Sequence, residues 1–334
     1  MIGNIHILGI VNVTPDSFYA GSRVQGEAAI RRIEKLFEEG ADAIDLGACS
    51  TRPGSPQPSL EEEWNRLYPT VKEIGRHALS GACPPPDKGR GRGPLDTSPS
   101  RGRQDDKLAW RLSDARRTQE TMGGAGAKRS GAESPEGACL PISVDTYRAE
   151  IVERVYNTIG PFIVNDISAG GLDAKMLETV GRLGLPYIAM HMRGTPENMQ
   201  QLTDYPGNDI TAAVIAYFKD FSKKAEEYGI KEWIVDPGFG FSKTLEQNYD
   251  LLYHLDEVVR AFPQQETLVG VSRKSMIYKK LGITPEEAMP ATQVIQFASL
   301  EKGATWLRVH DVKEAVQTAT LYSTMYMSSP GAAK

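Results

Sequence analysis

Short apolar runs of four to seven residues alternate along this chain with longer segments in which apolar positions recur every three or four residues. The short runs read as buried strands and the periodic segments as amphipathic helices. Strands are predicted at Ile5–Val11, Ala43–Gly47, Pro141–Asp145, Phe162–Asn165, Tyr187–His191, Trp233–Asp236, Thr267–Val271 and Trp306–Val309. A helix follows each one, at Gly26–Glu39, Leu60–His77, Tyr147–Thr158, Ala174–Arg182, Asp209–Tyr228, Thr244–Val259, Pro285–Lys302 and Val312–Met325. Eight such pairs match the count and size of an α/β chain folded as a (β/α)8 TIM barrel. A doubly wound open sheet shares the alternation. The strand ends favour the barrel. Asn12, Asp45, Asp145, Asn165, Asp166, His191, Asp236, Ser272 and His310 stand where most strands finish. A barrel brings all of these to one face, whereas an open sheet gathers only those near its switch point.

One segment breaks the rhythm. From Leu79 to Ala138 the chain is rich in Gly, Pro, Ser and Arg and poor in aliphatic residues. Such a stretch cannot bury enough surface to offset its ordering entropy, so it is expected to be a disordered insertion (79–138) within a single barrel domain spanning 1–334. Within it, Asp105–Thr121 has the pattern of a short helix. Lying between the second helix and the third strand, the insertion belongs to the amino-terminal face, away from the strand ends. A tolerated insertion is the simpler reading, with a basic docking arm as the alternative.

Composition narrows the function. The chain has 334 residues, 40% hydrophobic and 24% charged, as expected of a soluble globular protein with a sizeable core. Lys and Arg number 38 against 43 Asp and Glu, a formal net charge of −5, which gives no global attraction to nucleic acid or to an acidic membrane. Any anion site must be local. No signal peptide is visible, and no uncharged apolar run approaches the roughly 20 residues that cross a bilayer. Cys49, Cys83 and Cys139 are odd in number, far apart and without zinc-ligand spacing, which suits a reducing cytoplasm.

The chemistry concentrates at the strand ends. In "GIVNVTPDSF", Gly9–Phe18, a buried strand delivers a rigid polar loop. The second strand ends in "IDLGACSTRPGS", where Thr51 and Arg52 before the Pro53-Gly54 turn suit a loop that clamps an anion. Asp145, Asn165 and Asp236 form an acceptor-rich floor fitted to a fused heteroaromatic with a guanidine-like edge, since a carboxylate takes two parallel N–H bonds from such an edge. Each carboxylate alone would more often cap the helix that follows it. Three aimed at one pocket favour a ligand. The seventh strand places Ser272, Arg273, Lys274 and Ser275 at the mouth, where Lys274 can meet a carboxylate or a ring carbonyl. On the eighth, Arg308 and His310 alternate and so point to one side, and with Arg52 they could clamp a phosphate or diphosphate.

Taken together, "NVTPDSF", "STRPGS", "SVDTYR", "NDISAG", "MHMRGTPENMQ", "DPGFGF", "SRKS" and "RVHDV", in this order, resemble the dihydropteroate synthase family of pterin-binding enzymes, the folate-pathway target of sulfonamides. The resemblance covers the chain from first strand to last, except the insertion. It implies a TIM barrel, a cytoplasmic homodimer, that joins 4-aminobenzoate to a (7,8-dihydropterin-6-yl)methyl diphosphate and releases diphosphate. It further implies that Asp145, Asn165, Asp236 and Lys274 hold the pterin, that Thr51, Arg52, Arg308 and His310 hold the diphosphate, and that Asn12 binds the accompanying Mg²⁺. Phe18, Thr51, Pro53, Phe241, Lys274 and Ser275 would line the aminobenzoate site, and Asp45 joins Arg52, Lys274, Arg308 and His310 in the catalytic set. Its loops after strands one and two are expected to close over the site. Two departures stand out: "GACS" replaces the Gly-Gly-Glu-Ser common in the family, changing Ala48 and Cys49, and Ser242 replaces a Gly after "DPGFGF". A methyltetrahydrofolate-binding methyltransferase barrel would keep the acceptor floor but has no use for the cationic clamp. A catalytically silent pterin-binding paralogue would usually have lost clamp or loop residues that this chain keeps.

Overall fold

The computed structural model describes residues 5–13, 22–49, 57–79 and 141–327. Eight parallel strands close into a barrel in chain order: β1 (His6–Asn12), β2 (Ala43–Gly47), β3 (Ile142–Asp145), β4 (Ile163–Asp166), β5 (Tyr187–Met190), β6 (Trp233–Asp236), β7 (Glu266–Val269) and β8 (Trp306–Val309). Both faces of most strands are buried, as expected when side chains fill the lumen and helices cover the outside. Leu8, Ala43, Ile163, Ile188, Ile234, Leu268 and Trp306 plug the lower lumen as one apolar cluster. Residues two places further on point the same way, so Ile10, Asp45, Asn165, Met190, Asp236 and Arg308 form the layer above that plug. On β2, β4, β6 and β8 the change from apolar to polar happens in a single step.

The helices are α1 (Ser22–Glu39), α2 (Leu60–Leu79), α3 (Ala149–Ile159), α4 (Met176–Leu183), α5 (Ile210–Glu227), α6 (Leu245–Tyr253), α7 (Leu255–Ala261), α8 (Ser275–Leu281), α9 (Met289–Glu301) and α10 (Val312–Met327). The predicted elements are all found, with ends shifted by a few residues. Two differences have physical causes. The helix expected over Thr244–Val259 is two helices: Thr244 starts α6 with a capping box to Gln247, and His254, at φ −101 and ψ 15, interrupts the ladder before α7. Helix α8 has no counterpart among the predicted elements, because its seven residues, closed by left-handed Gly282, are too short for the periodic signal. Leu79, the expected start of the insertion, is instead the last residue of α2. Residues 80–140, including Asp105–Thr121, lie outside the described residues.

No described helix is long and apolar enough to cross a membrane.

Candidate active site

The upper lumen is organised by one guanidinium. Arg308 Nε donates to Asp45 Oδ2 at 2.6 Å and Nη2 donates to Asp145 Oδ2 at 2.8 Å. Asn165 Nδ2 donates to the same Asp45 oxygen at 3.1 Å. Asp45 is fully buried and its Oδ1 has no partner among the described residues. Within this layer it holds Arg308 and Asn165 through its Oδ2. Burial works against the charge on Arg308, but Asp45 and Asp145 more than offset it and keep its pKa above the usual range. Asp145 is pushed up to about 7, first by burial and against the pull of Arg308, with Asp45 and Glu63 adding to the rise.

Beside Arg308, after the neighbouring strand β7, Lys274 Nζ donates to Phe239 O at 2.6 Å and lies 4.8 Å from the centre of the Phe241 ring. Burial brings Lys274 down to about 8, against the attraction of Asp236. Asp236 Oδ1 accepts from the Gly238 N–H at 2.8 Å, and burial raises this carboxyl above the usual range, opposed by Lys274 and that N–H. Gly270 separates the two cations. A Cβ there would lie 3.8 Å from Lys274 Nζ and from Arg308 Cβ, so the missing side chain leaves room between them. Asp145, Asn165, Asp236, Lys274 and Arg308 are thus gathered in one mouth, as predicted from their strand ends.

The remaining predicted residues are placed more loosely. Asn12 is exposed at the end of β1, and a Cβ on Gly47 would lie 3.3 Å from its Oδ1 and 3.7 Å from Asp145 Oδ2. His310 is half-buried at the end of β8, its N–H bonded to Ser272 Oγ at 3.2 Å and its carbonyl accepting from Arg32 at 3.3 Å. Ser275 opens α8 and Phe241 is buried beside Lys274. Phe18, Thr51, Arg52 and Pro53 lie outside the described residues. Arg273, expected at the mouth, instead forms a two-pronged pair with Asp311 at 2.8 Å and donates to the carbonyls of Pro285 and Glu286. Asp166 accepts from Ser168, Gly170 and the Tyr187 hydroxyl, which makes it a turn-builder.

Sequence reasoning placed His191 at a strand end but missed two buried pairings. Lys243 and His191 form a buried pair under the loop after β6, where Lys243 Nζ lies 2.9 Å from His191 Nδ1. Glu63, fully buried, pairs with Arg148 and accepts from Thr146 Oγ1 at 2.6 Å, while Arg148 also donates to Pro58 O at 2.6 Å. Arg66 donates to Ala48 O at 3.1 Å. These bonds hold both feet of the segment between β2 and α2. Cys49, in the altered "GACS", is half-buried, and burial beside Glu63 pushes its thiol pKa up, so it is not a ready nucleophile.

The sequence profile described as "Pterin binding enzyme" matches residues 8–80 and 132–310. The chain belongs to the pterin binding enzyme family. It is 32% identical to the dihydropteroate synthase of Escherichia coli (strain K12) over 315 residues, covering 93% of this chain and 88% of that protein. It is also 32% identical to the folic acid synthesis protein fol1 of Pneumocystis carinii over 326 residues, 96% of this chain but 36% of that protein's length. Its structure matches that of the Xanthomonas albilineans dihydropteroate synthase with 4-aminobenzoic acid at a TM-score of 0.72 and 28% identity, covering 98% of this chain and 95% of that one. In this pterin-binding family member, the matched region takes in β1 from Leu8 onward, β2 to β8, and Asp145, Asn165, Asp236, Lys274 and Arg308.

Proposed function

We propose that the chain is a transferase of folate synthesis that condenses (7,8-dihydropterin-6-yl)methyl diphosphate with 4-aminobenzoate, giving 7,8-dihydropteroate and diphosphate. The observation that carries this reading is the pairing of two raised-pKa carboxyls, Asp145 and Asp236, with Lys274 and Arg308 in one lumen. A pterin's amino and ring N–H groups supply the donors that would let both carboxylates ionise. Asn165 and Lys274 complete the ring contacts, Lys274 donating to the ring carbonyl oxygen. Arg308 keeps Asp145 in place and leaves 19% of its side chain exposed for the leaving group. With His310, Thr51 and Arg52 it receives the diphosphate. Phe18, Pro53, Phe241 and Ser275 wall the aminobenzoate.

In this mechanism the C–O bond to diphosphate breaks first and the electron pair leaves with the diphosphate. The methylene carbon, left electron-poor, is stabilised by conjugation with the pterin ring. The aniline nitrogen then forms the new N–C bond and gives up a proton. No strong base is needed; leaving-group stabilisation and orientation supply the rate. A Mg²⁺ would neutralise charge on the diphosphate. Among the described residues no group of three or more His, Cys, Asp or Glu could hold a metal, and Asn12 Oδ1, an oxygen donor suited to a hard cation, would be its protein ligand.

The same reading makes the protein a cytoplasmic homodimer with the 79–138 insertion outside the chemistry. Val294 on α9 and Leu321 on α10, helices that pack together, are exposed by 67% and 63%, which supports an apolar contact with a second copy. The test is diphosphate release by purified protein given both substrates and Mg²⁺. Release well above that of Lys274→Ala is expected; equal rates would overturn the proposal.

A further inference from the structure

Lys243 is 3% exposed and takes no part in the mechanism above. Its Nζ has three partners: as an ammonium it donates to all three, and as the neutral amine that prevails above about pH 7 it donates to the two carbonyls and accepts from an Nδ1–H of neutral His191. Gly238 O lies at 2.9 Å, Phe241 O at 3.0 Å and His191 Nδ1 at 2.9 Å. Burial holds His191 well below its ordinary pKa, so the ring is neutral and can present a lone pair at Nδ1. The two carbonyls bracket Phe239 and Gly240. Phe239 O is the acceptor for Lys274 Nζ, and the Phe241 ring lies beside the same ammonium.

The rest of this turn is held as fully. Asn248 Oδ1 accepts from the Gly240 N–H at 2.6 Å and Gln200 Nε2 donates to Gly240 O at 3.1 Å. Ser242 sits at φ +46, a left-handed conformation that costs a β-carbon residue energy. Its Oγ accepts from the Arg193 N–H at 3.0 Å, and the Tyr205 hydroxyl donates to Ser242 O at 2.9 Å. The Ser that departs from the family's Gly therefore joins the loops after β5 and β6. Among the described residues, only Lys243 ties both ends of the Gly238–Phe241 turn to one atom.

We propose that Lys243, braced by His191, is a positioning residue for the reaction: it pins the Gly238–Phe241 turn on which Lys274 rests, and so fixes the Lys274 ammonium against the pterin. This rests on the reading of Lys274 as a pterin contact. The variants are Lys243→Met, His191→Leu and His191→Asn, the last keeping an acceptor near the Nδ1 position. Three quantities are measured: amide hydrogen exchange over residues 238–242 without substrate, kcat/KM for the pterin diphosphate, and inhibition by inorganic diphosphate. Lys243→Met and His191→Leu should speed exchange and lower kcat/KM about tenfold or more, the scale of one hydrogen bond to a charged group, with diphosphate inhibition unchanged. His191→Asn should recover most of the loss. Unchanged exchange, equal weakening toward pterin and diphosphate, or no difference between Leu and Asn at 191 would overturn the proposal. A wild-type protein without turnover would overturn the assigned reaction instead, and the exchange comparison would still decide the role of Lys243. If Lys243→Met does not fold, the two His191 variants decide the matter by the same three measurements.

Discussion

Arg308 carries two jobs that pull against each other in any mutagenesis experiment. It faces the mouth, yet it is also the partner of fully buried Asp45 and of Asp145. Removing one side of a buried pair leaves an uncompensated charge and typically costs about 3–5 kcal/mol. Arg308→Ala should therefore lower unfolding free energy by roughly that amount in urea as well as abolish turnover. A loss below about 1 kcal/mol, the value of a surface pair, would show that the contacts to Asp45 and Asp145 are not held in solution. Lys243 makes a second residue-level prediction. Its ordinary pKa of 10.5 falls to about 7 on burial. Between those values the unfolded chain holds a proton that the folded one has lost, so stability from this group rises with pH from about 7 and is forfeited below it. Lys243→Met should flatten the rise in melting temperature between about pH 7 and 10; an identical profile would contradict the shift. Asp145 and Asp236 were legible as carboxylates at buried strand ends. Lys243 was not, because a lysine in a polar loop is ordinarily solvated, and only packing shows that this one is not.

At the scale of elements, the alternation of runs and periodic segments was enough to locate all eight strands, because strands buried on both faces read as continuous apolar runs. Helix α8 and the break at His254 escaped because both are decided by single-residue backbone geometry within a few positions. Close approaches were equally invisible. Gly181 in α4 lies against the end of α5: a Cβ there would meet Tyr228 O at 1.8 Å, which backbone cannot relieve cheaply. Gly181→Ala should cost about 1–3 kcal/mol by overpacking despite alanine's better helix propensity, seen as a lower melting temperature. A neutral or stabilising effect would mean that α4 and α5 are further apart. The bonds from Arg66 and Arg148 to Ala48 and Pro58 likewise could not be foreseen, since their partners are backbone carbonyls that carry no sequence signature.

For the whole molecule, the barrel's order dictates where the chemistry falls. Among the described residues, the βα connections open on the face that carries Asp145, Asp236, Lys274 and Arg308, and the αβ connections on the other. Residues 80–138 lie between α2 and β3 in the chain, and we propose on that ground alone that they take no part in the chemistry. Deleting Ser80–Ala138 with a short linker should leave kcat nearly unchanged, whereas a large loss would tie the segment to the active face. The central claim is that the lumen's acceptor floor recognises a pterin. Its most direct test is a calorimetric titration of pteroic acid into wild-type protein and Asp236→Asn, with folding of both checked by melting. Binding to the variant should weaken by at least about tenfold, the loss of one charge-assisted bond. Equal affinity for the two proteins would contradict the account.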